Sequence, residues 1–288
     1  MPTVEQIWRY PAKSLLGEQL TSATITPAGI PGDRGWAVRD EVRGGIRGAK
    51  KIPRLMQLTA RYVSEPTDSL PPPDIEIGLP DGAVVRSDDP EANARLSAAL
   101  DHAVTLWPLQ PAADVEHYRR GAPDSDDPME EIRGMFGLAE ADAVPDISKL
   151  PVDVLVEFES PPGTYFDAYP LHLLTTSSLR SLARLTPDSQ IDVRRFRPNL
   201  VVDTDDDPDE PFPEQLRWVG HDLAVGGVTF RVVSACPRCV MTTHAVANLP
   251  VDRDVLRSVR EHARQDFGVY ATVVEPGNVS VGDTVRVR

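Results

Sequence analysis

A β-rich α+β protein is the class this sequence predicts, and three observations carry it. Short β-branched runs recur along the chain, each closed by proline, glycine or aspartate. The 28 prolines, many in Asp-Pro or Pro-Pro pairs, suit strands joined by turns and not a helical bundle. Helical spacing of apolar residues appears in only three stretches, after residues 88, 175 and 252. With 288 residues, two modest domains with real cores are affordable.

Composition narrows the function. At 41% hydrophobic and 26% charged residues the chain reads as an ordinary soluble globular protein. A net charge of −14 argues against nucleic acid or a membrane surface as partner, so an anionic ligand needs a local basic cluster. Two cysteines give no disulfide framework, and no apolar run near the start is long enough for a signal or a span. A cytoplasmic protein is the expectation.

In chain order, residues 4–10 (VEQIWRY) read as a first strand closed by Pro11, with Lys13 and Ser14 in the turn, where such a pair is ordinarily solvated. Residues 21–26 predict a second strand. A turn-rich loop then leads to Arg34, whose planar fork suits a phosphate or a ring carbonyl and whose neighbours Gly32 and Gly35 allow close approach. A surface pair with Asp33 is the plainer alternative. A basic turn at 48–54 precedes a strand at 55–63. Asp88-Asp89-Pro90 predicts a helix start, with Ala92, Leu96, Ala99, Leu100 and Ala103 on its packed face.

Residues 114–150 turn rich in Asp, Glu, Pro and Ala and read as a partly mobile linker. Residues 151–158 are a strand or an ordered part of that crossover. The apolar run after Pro170 holds His172, which reads as a core histidine. Thr175 to Ser178 cap a helix whose Leu179, Leu182 and Ala183 face inward. At 193–199 an extended chain would put Arg195, Arg197 and Asn199 on one face, able to grip a phosphate and a heterocycle edge. A solvated strand face is the alternative there. Residues 203–211 form an acidic surface loop, and 216–227 a hairpin. Asp252 caps a helix burying Val255, Leu256, Val259 and Ala263, and residues 267–274 and 284–287 supply closing strands.

The hairpin feeds a strand at 228–235 that ends in Cys236-Pro-Arg-Cys239, which holds both cysteines. Structural zinc would want four ligands, and no second cysteine pair exists. A thioredoxin-type dithiol would open a helix, whereas Val240 to Thr243 reads as continuing strand. Arg238 between the cysteines favours thiolate over thiol, and two small buried hydrophobes are the competing reading.

The flanking residues sharpen this. S-A-C-P-R-C-V-M-T-T, preceded by F-R-P-N-L-V-V at 196–202 and followed by F-G-V-Y-A-T-V-V-E-P-G-N-V-S-V-G-D-T-V at 267–285, resembles the MOSC family, named for the C-terminal domain of molybdenum-cofactor sulfurase. At the N-terminus, Y-P-A-K-S at 10–14 and G-D-R-G-W at 32–36 resemble the β-barrel domain that precedes MOSC in mitochondrial amidoxime-reducing components and YcbX-like proteins. The resemblance implies a β-barrel-like domain at 1–113, an acidic crossover at 114–150, and a MOSC β-barrel domain with a few peripheral helices at 151–288.

It also implies a site. By position, Lys13, Ser14, Arg34, Arg197, Asn199, Arg238 and Tyr270 would contact a molybdopterin. The loop Asp167-Ala168-Tyr169 matches a cofactor-contacting turn whose residues after Asp are usually small hydroxyl types, so Ala168 and Tyr169 carry over as backbone contacts. Cys239 would ligate molybdenum, and Asp167 or a water would be a proton source. Pro237 stands where a hydroxyl residue is common and offers no N–H.

The implied activity is a molybdenum-cofactor oxidoreductase that reduces N-hydroxylated small molecules with a separate reductase or ferredoxin-type donor. The alternative is a cofactor carrier, or a sulfur-transfer protein using a persulfide on Cys239 or Cys236.

Overall fold

The computed structural model describes residues 1–205, 207 and 209–288. The expected acidic loop at 203–211 therefore includes two positions, Asp206 and Pro208, that lie outside the described residues.

The strands in chain order are β1 (Thr3–Arg9), β2 (Glu18–Leu20), β3 (Ser22–Ile25), β4 (Trp36–Asp40), β5 (Ile46–Arg47), β6 (Thr59–Tyr62), β7 (Ile75–Gly78), β8 (Val84–Arg86) and β9 (Val104–Pro108). After a helical crossover come β10 (Leu171–Thr175), β11 (Leu200–Asp203), β12 (Asp222–Val225), β13 (Val228–Pro237), β14 (Asp266–Glu275), β15 (Gly277–Ser280) and β16 (Val285–Val287). The helices are α1 (Ala92–Leu100), α2 (Val115–Tyr118), α3 (Pro128–Phe136), α4 (Val152–Glu157), α5 (Thr176–Leu185), α6 (Pro213–Arg217) and α7 (Arg253–Ala263). The protein is β-rich α+β, as expected.

Eight strands form the main sheet in the order β16-β12-β13-β14-β10-β11-β1-β2. Its one parallel pair, β10 with β11, is connected through α5, because parallel neighbours need a crossover. The sheet curls until its ends meet: Thr3 bridges Thr284, and Val4 N donates to Asp283 O at 2.9 Å. The meeting is made by a turn, not by a paired strand, and β2 continues outside β1. The sheets are thus strongly curled but not closed barrels, where the resemblance implied a β-barrel-like domain and a MOSC β-barrel domain. Three smaller sheets, β5-β4-β9, β6-β7-β8 and β15-β3, complete the strands. β1 lies between β11 and β2, and β3 pairs β15, so hydrogen bonding crosses the sequence boundaries expected at 113 and 150.

Two apolar cores flank the site. One fills the curled main sheet around Ile7, Leu173, Leu200, Phe230 and Val269. The other gathers Leu15, Leu55, Met56, Ile77 and Leu96 under the small sheets and extends to Met241 and Val246, with Cys239 packed on its edge. A third cluster seats α5 and α7 against Phe196 and Phe267. Each fully buried aliphatic or Phe side chain contributes roughly 1.5–3 kcal/mol. Val255, Leu256, Val259 and Ala263 are buried as the spacing predicts.

Several local expectations give way. Residues 240–243 form a 3-10 turn starting after Cys239, not continued strand, because Arg238 N is already taken by Gln265 O at 2.7 Å and the ladder ends at Pro237. Residues 193–195 are also a 3-10 turn, capped by Asp192 accepting from Arg194 N, so Arg195 and Arg197 do not share an extended face. Residues 151–158 contain α4 and not a strand. The first helix begins at Ala92, after Asp89 and Pro90 are spent on a turn. Ala183 faces solvent. Residues 53–57 are a 3-10 turn before β6, and Leu216 lies in α6, leaving the hairpin to β12 and β13.

Candidate active site

The site grows from the end of β13. Its pairing with β14 shifts register three times, the last shift falling between Ala235 and Pro237. Such bulges re-aim the side chains that follow. Cys236 is turned inward and buried, while Cys239 stays half-exposed.

Arg238, between the two cysteines in sequence, hydrogen-bonds the buried one. Its guanidinium donates to Cys236 Sγ at 2.9 Å and to Phe196 O at 2.9 Å, while its Nε is buried with no partner among the described residues. Burial pushes the Cys236 thiol up, with Arg238 and the Tyr270 hydroxyl working against that. Tyr270 is itself raised well above its usual value, mainly by burial.

Opposite the cysteines stands a stack of cations. Arg34 and Arg197 lie over Tyr10, at 4.8 and 4.2 Å from its ring centroid, and Tyr10 donates its hydroxyl to Pro198 O at 3.0 Å. Asp33, buried beneath, accepts from Tyr10 N at 2.8 Å, from Asn199 Nδ2 at 2.9 Å and from Arg34. Asn199 Oδ1 accepts from Arg34 at 3.3 Å and His172 N at 3.2 Å. Its amide is thereby occupied in holding Arg34 in place. Arg197 donates to Leu15 O, and burial together with the Arg34 charge lowers it to about 10. Arg195 also borders the cavity, but it is buried and its guanidinium is taken up by the carbonyls of Thr242, His244, Pro250 and Gln190.

The third wall is a lysine pair around one carboxylate. Lys13 Nζ donates to Tyr165 O at 2.9 Å, Asp167 Oδ1 at 3.0 Å and Ser160 Oγ at 3.2 Å, and Lys50 Nζ lies 3.6 Å from the same Asp167 oxygen. Burial lowers Lys13 despite Asp167. Burial also opposes the charge on Lys50, but Asp167 and Cys239 outweigh it and raise that lysine. For Asp167 enclosure would raise the carboxyl, yet Lys13 and Lys50 hold it well below the usual range. Ser14 Oγ accepts from Ala49 N at 2.9 Å and pins the basic turn to the site. His172 is kept neutral by burial and by the Arg238 charge, and its Nε2 donates to Phe267 O at 3.3 Å. It fits the core histidine expected, although one edge reaches the cavity.

These residues line a single cavity of about 510 Å³, large enough for a cofactor-sized ligand. Lys13, Ser14, Arg34, Asp167, Ala168, Tyr169, Arg197, Asn199, Arg238, Cys239 and Tyr270, drawn from the whole length of the chain, all reach it. Ser14, Arg34 and Arg197 have positive φ of 68°, 53° and 57°. Such backbone is costly outside glycine and gathers where the fold over-determines a functional geometry.

Sequence reasoning undervalued Lys50, whose signal was only the basic turn, and considered Asp33 only as a surface partner of Arg34 in the alternative reading, whereas it is the buried hub. Ser160 and Tyr165 had no signal, because they act through a hydroxyl and a carbonyl that any residue pattern could supply.

Five cations, Lys13, Arg34, Lys50, Arg197 and Arg238, line this cavity with the carboxylate of Asp167, and Asp33 lies buried behind Arg34. Three of them, Lys13, Arg197 and Arg238, are buried, and this local excess of positive charge favours an anionic ligand. Among the described residues no three His, Cys, Asp or Glu side chains converge. A soft metal here would take one thiolate from the chain and its other ligands from an anionic cofactor. The residues fit such a group.

The comparisons agree with this architecture. Residues 162–286 match the model of the MOSC domain, and residues 1–85 match that of the MOSC N-terminal beta barrel domain. Human mitochondrial amidoxime reducing component 2 is 26% identical over 310 residues, covering 98% of this chain and 82% of that protein. Human mitochondrial amidoxime-reducing component 1 is also 26% identical, over 321 residues, with the same coverage. Among solved structures, the YUAD protein from Bacillus subtilis aligns with a TM-score of 0.44 and 12% identity, covering 100% of this chain and 96% of that one. With both domain models matched in order, and relatives aligned over nearly its whole length, the chain belongs to the MOSC-domain family, in the form that carries a MOSC N-terminal domain.

Proposed function

We propose that the chain binds the molybdenum cofactor in this cavity and reduces N-hydroxylated compounds by two electrons. The observation that supports this most is the meeting of Cys239 with the Arg34–Tyr10–Arg197 stack and the Lys13–Asp167–Lys50 group around one cavity. The names of the mitochondrial relatives supply the reaction.

When bound, the cofactor would supply a molybdenum centre able to accept an oxygen atom and exchange electron pairs. Cys239 would be its protein ligand. Arg34, Arg197 and Lys50 would neutralise its anionic groups, and Ser14 and Asn199 would hold these cations in register. The N–O bond of the substrate breaks, its oxygen leaves as water, and two electrons and two protons are consumed. Asp167, being ionised, would hold Lys13 and Lys50 and relay protons through Lys13 or a water. The electrons would come from a separate donor protein. With two free cysteines, one of them buried, we place the protein in a reducing, cytoplasmic setting.

The test is the molybdenum and pterin content of protein purified from a cofactor-competent host, beside Cys239→Ala. Near-stoichiometric molybdenum in the wild type and its loss in the variant support the reading. Well-folded wild type without molybdenum would sink it, and cyanide-releasable sulfur on Cys239 would then favour a persulfide carrier.

A further inference from the structure

The cavity has a second half that the cofactor reading leaves unused. Beyond the cysteines its wall turns apolar, built by Ile132, Met135 and Phe136 of α3, by Leu150, and by Val152 and Leu155 of α4. Helix α4 (VDVLVE) is mostly apolar, yet none of its residues is buried. A helix exposing valine and leucine toward a cavity lacks the partner that would normally cover it.

The wall is fixed to the chemistry at both ends. At α3, Gln265, itself buried, donates from Nε2 to Phe136 O at 2.8 Å and to Arg238 O at 2.9 Å. Gln265 thereby ties the end of α3 to the residue that precedes Cys239. Further along, the Tyr169 hydroxyl donates to Lys149 O at 2.5 Å, and Arg120 donates to Leu155 O at 2.7 Å and to Glu159 at 2.7 Å. Lys51, bonded to Glu131, also lines the cavity, and Arg260, bonded to Asp142, holds α7 to the crossover.

Resting on the proposed reductase activity, we infer that the 128–157 crossover is the specificity wall of this site: it selects N-hydroxylated substrates that carry an extended apolar body, aryl or long alkyl. The N–O group reaches the cationic end beside Cys239 while the body lies against Met135, Val152 and Leu155. Small polar N-hydroxy compounds lack the part that α4 is missing.

Two amidoximes with the same reacting group separate the ideas: 4-phenylbenzamidoxime and acetamidoxime, assayed with molybdenum-loaded wild type, Leu155→Asp and Met135→Gln. The wild type is expected to show a KM at least 10-fold lower for the biphenyl compound. Both variants should raise that KM about 10-fold, leaving acetamidoxime kinetics and molybdenum content unchanged. Equal changes for the two amidoximes, or no preference in the wild type, overturn the inference. If loaded wild type reduces neither compound, the reductase reading has failed, and the wall is judged by anilinonaphthalene sulfonate binding to the same proteins. Affinity reduced at least fivefold in both variants supports the apolar wall, and unchanged affinity overturns it.

Discussion

Arg195 and Arg197 stand two residues apart in the only strongly basic run of the second half of the chain, and folding gives them different partners around the same cavity. Arg197 reaches the cavity through a left-handed backbone, and Arg195 becomes an internal strut with four carbonyl partners. Arg195→Met should leave buried carbonyls of the 240–250 segment unpaired and cost about 3 kcal/mol, read as a lower urea midpoint with unchanged slope. Arg197→Met should cost cofactor retention first. At Asp266 burial, then the charge of Asp146, raises the carboxyl to about 6. A carboxyl raised on folding stabilises the fold below its unfolded value, near 4, and that contribution is lost as pH climbs through 6. Asp266→Asn should therefore flatten the fall in thermal midpoint between about pH 4 and pH 6.5, gaining roughly 1–2 kcal/mol at pH 7 once solvent screening is allowed for. An unchanged pH profile would show that the group is not the one responsible.

At the scale of elements, β10 and β14 must approach closely for His172 and Tyr270 to line the site, and Gly268 permits it. Its φ is +80°, and a Cβ there would meet His172 Nε2 at 2.2 Å and Leu173 O at 2.7 Å. Gly268→Ala should lower the thermal midpoint by roughly 5–10 °C and disturb the cavity together with the fold, so that bound molybdenum falls in parallel. Loss of molybdenum with an unchanged melting curve would contradict this. Helices differ in how well they announced themselves. The spacing of α7 was legible because one face is buried against protein, whereas α3 and α4 carry apolar residues that face a cavity, so no solvent-facing stripe sets off their period. The turns at 193–195 and 240–243 were misread as strand for a related reason. Their β-branched and charged residues are compatible with either state, and hydrogen bonds to distant partners decided between them.

Across the whole molecule, an acidic protein of net charge −14 sets nine of its thirty Lys and Arg side chains around one cavity. Without an anion these side chains repel one another, so the ligand-free protein should be stabilised by pyrophosphate, about 2.7 kcal/mol at a hundredfold excess over its dissociation constant. The shift in thermal midpoint should shrink in Arg34→Ala. A shift equally large in that variant would place the anion elsewhere. The interleaving of β1 and β3 with C-terminal strands predicts further that thermal unfolding is one cooperative transition, detected alike by tryptophan fluorescence and far-ultraviolet circular dichroism.

The sequence by itself determined the β-rich class, the capped helices α5 and α7, and the eleven residues that end around one cavity, because local spacing, turn chemistry and family-specific motifs are properties of short segments. Only the tertiary structure decided how Arg195 and Arg197 divide their partners, that Arg238 hydrogen-bonds Cys236, that Asp33 is a hub and Lys50 a lining cation, and that apolar residues of the acidic crossover line the cavity. Most of those depend on groups far apart in the chain meeting in space, and even the short Arg238–Cys236 contact is set by a burial and charge pairing that no short segment records.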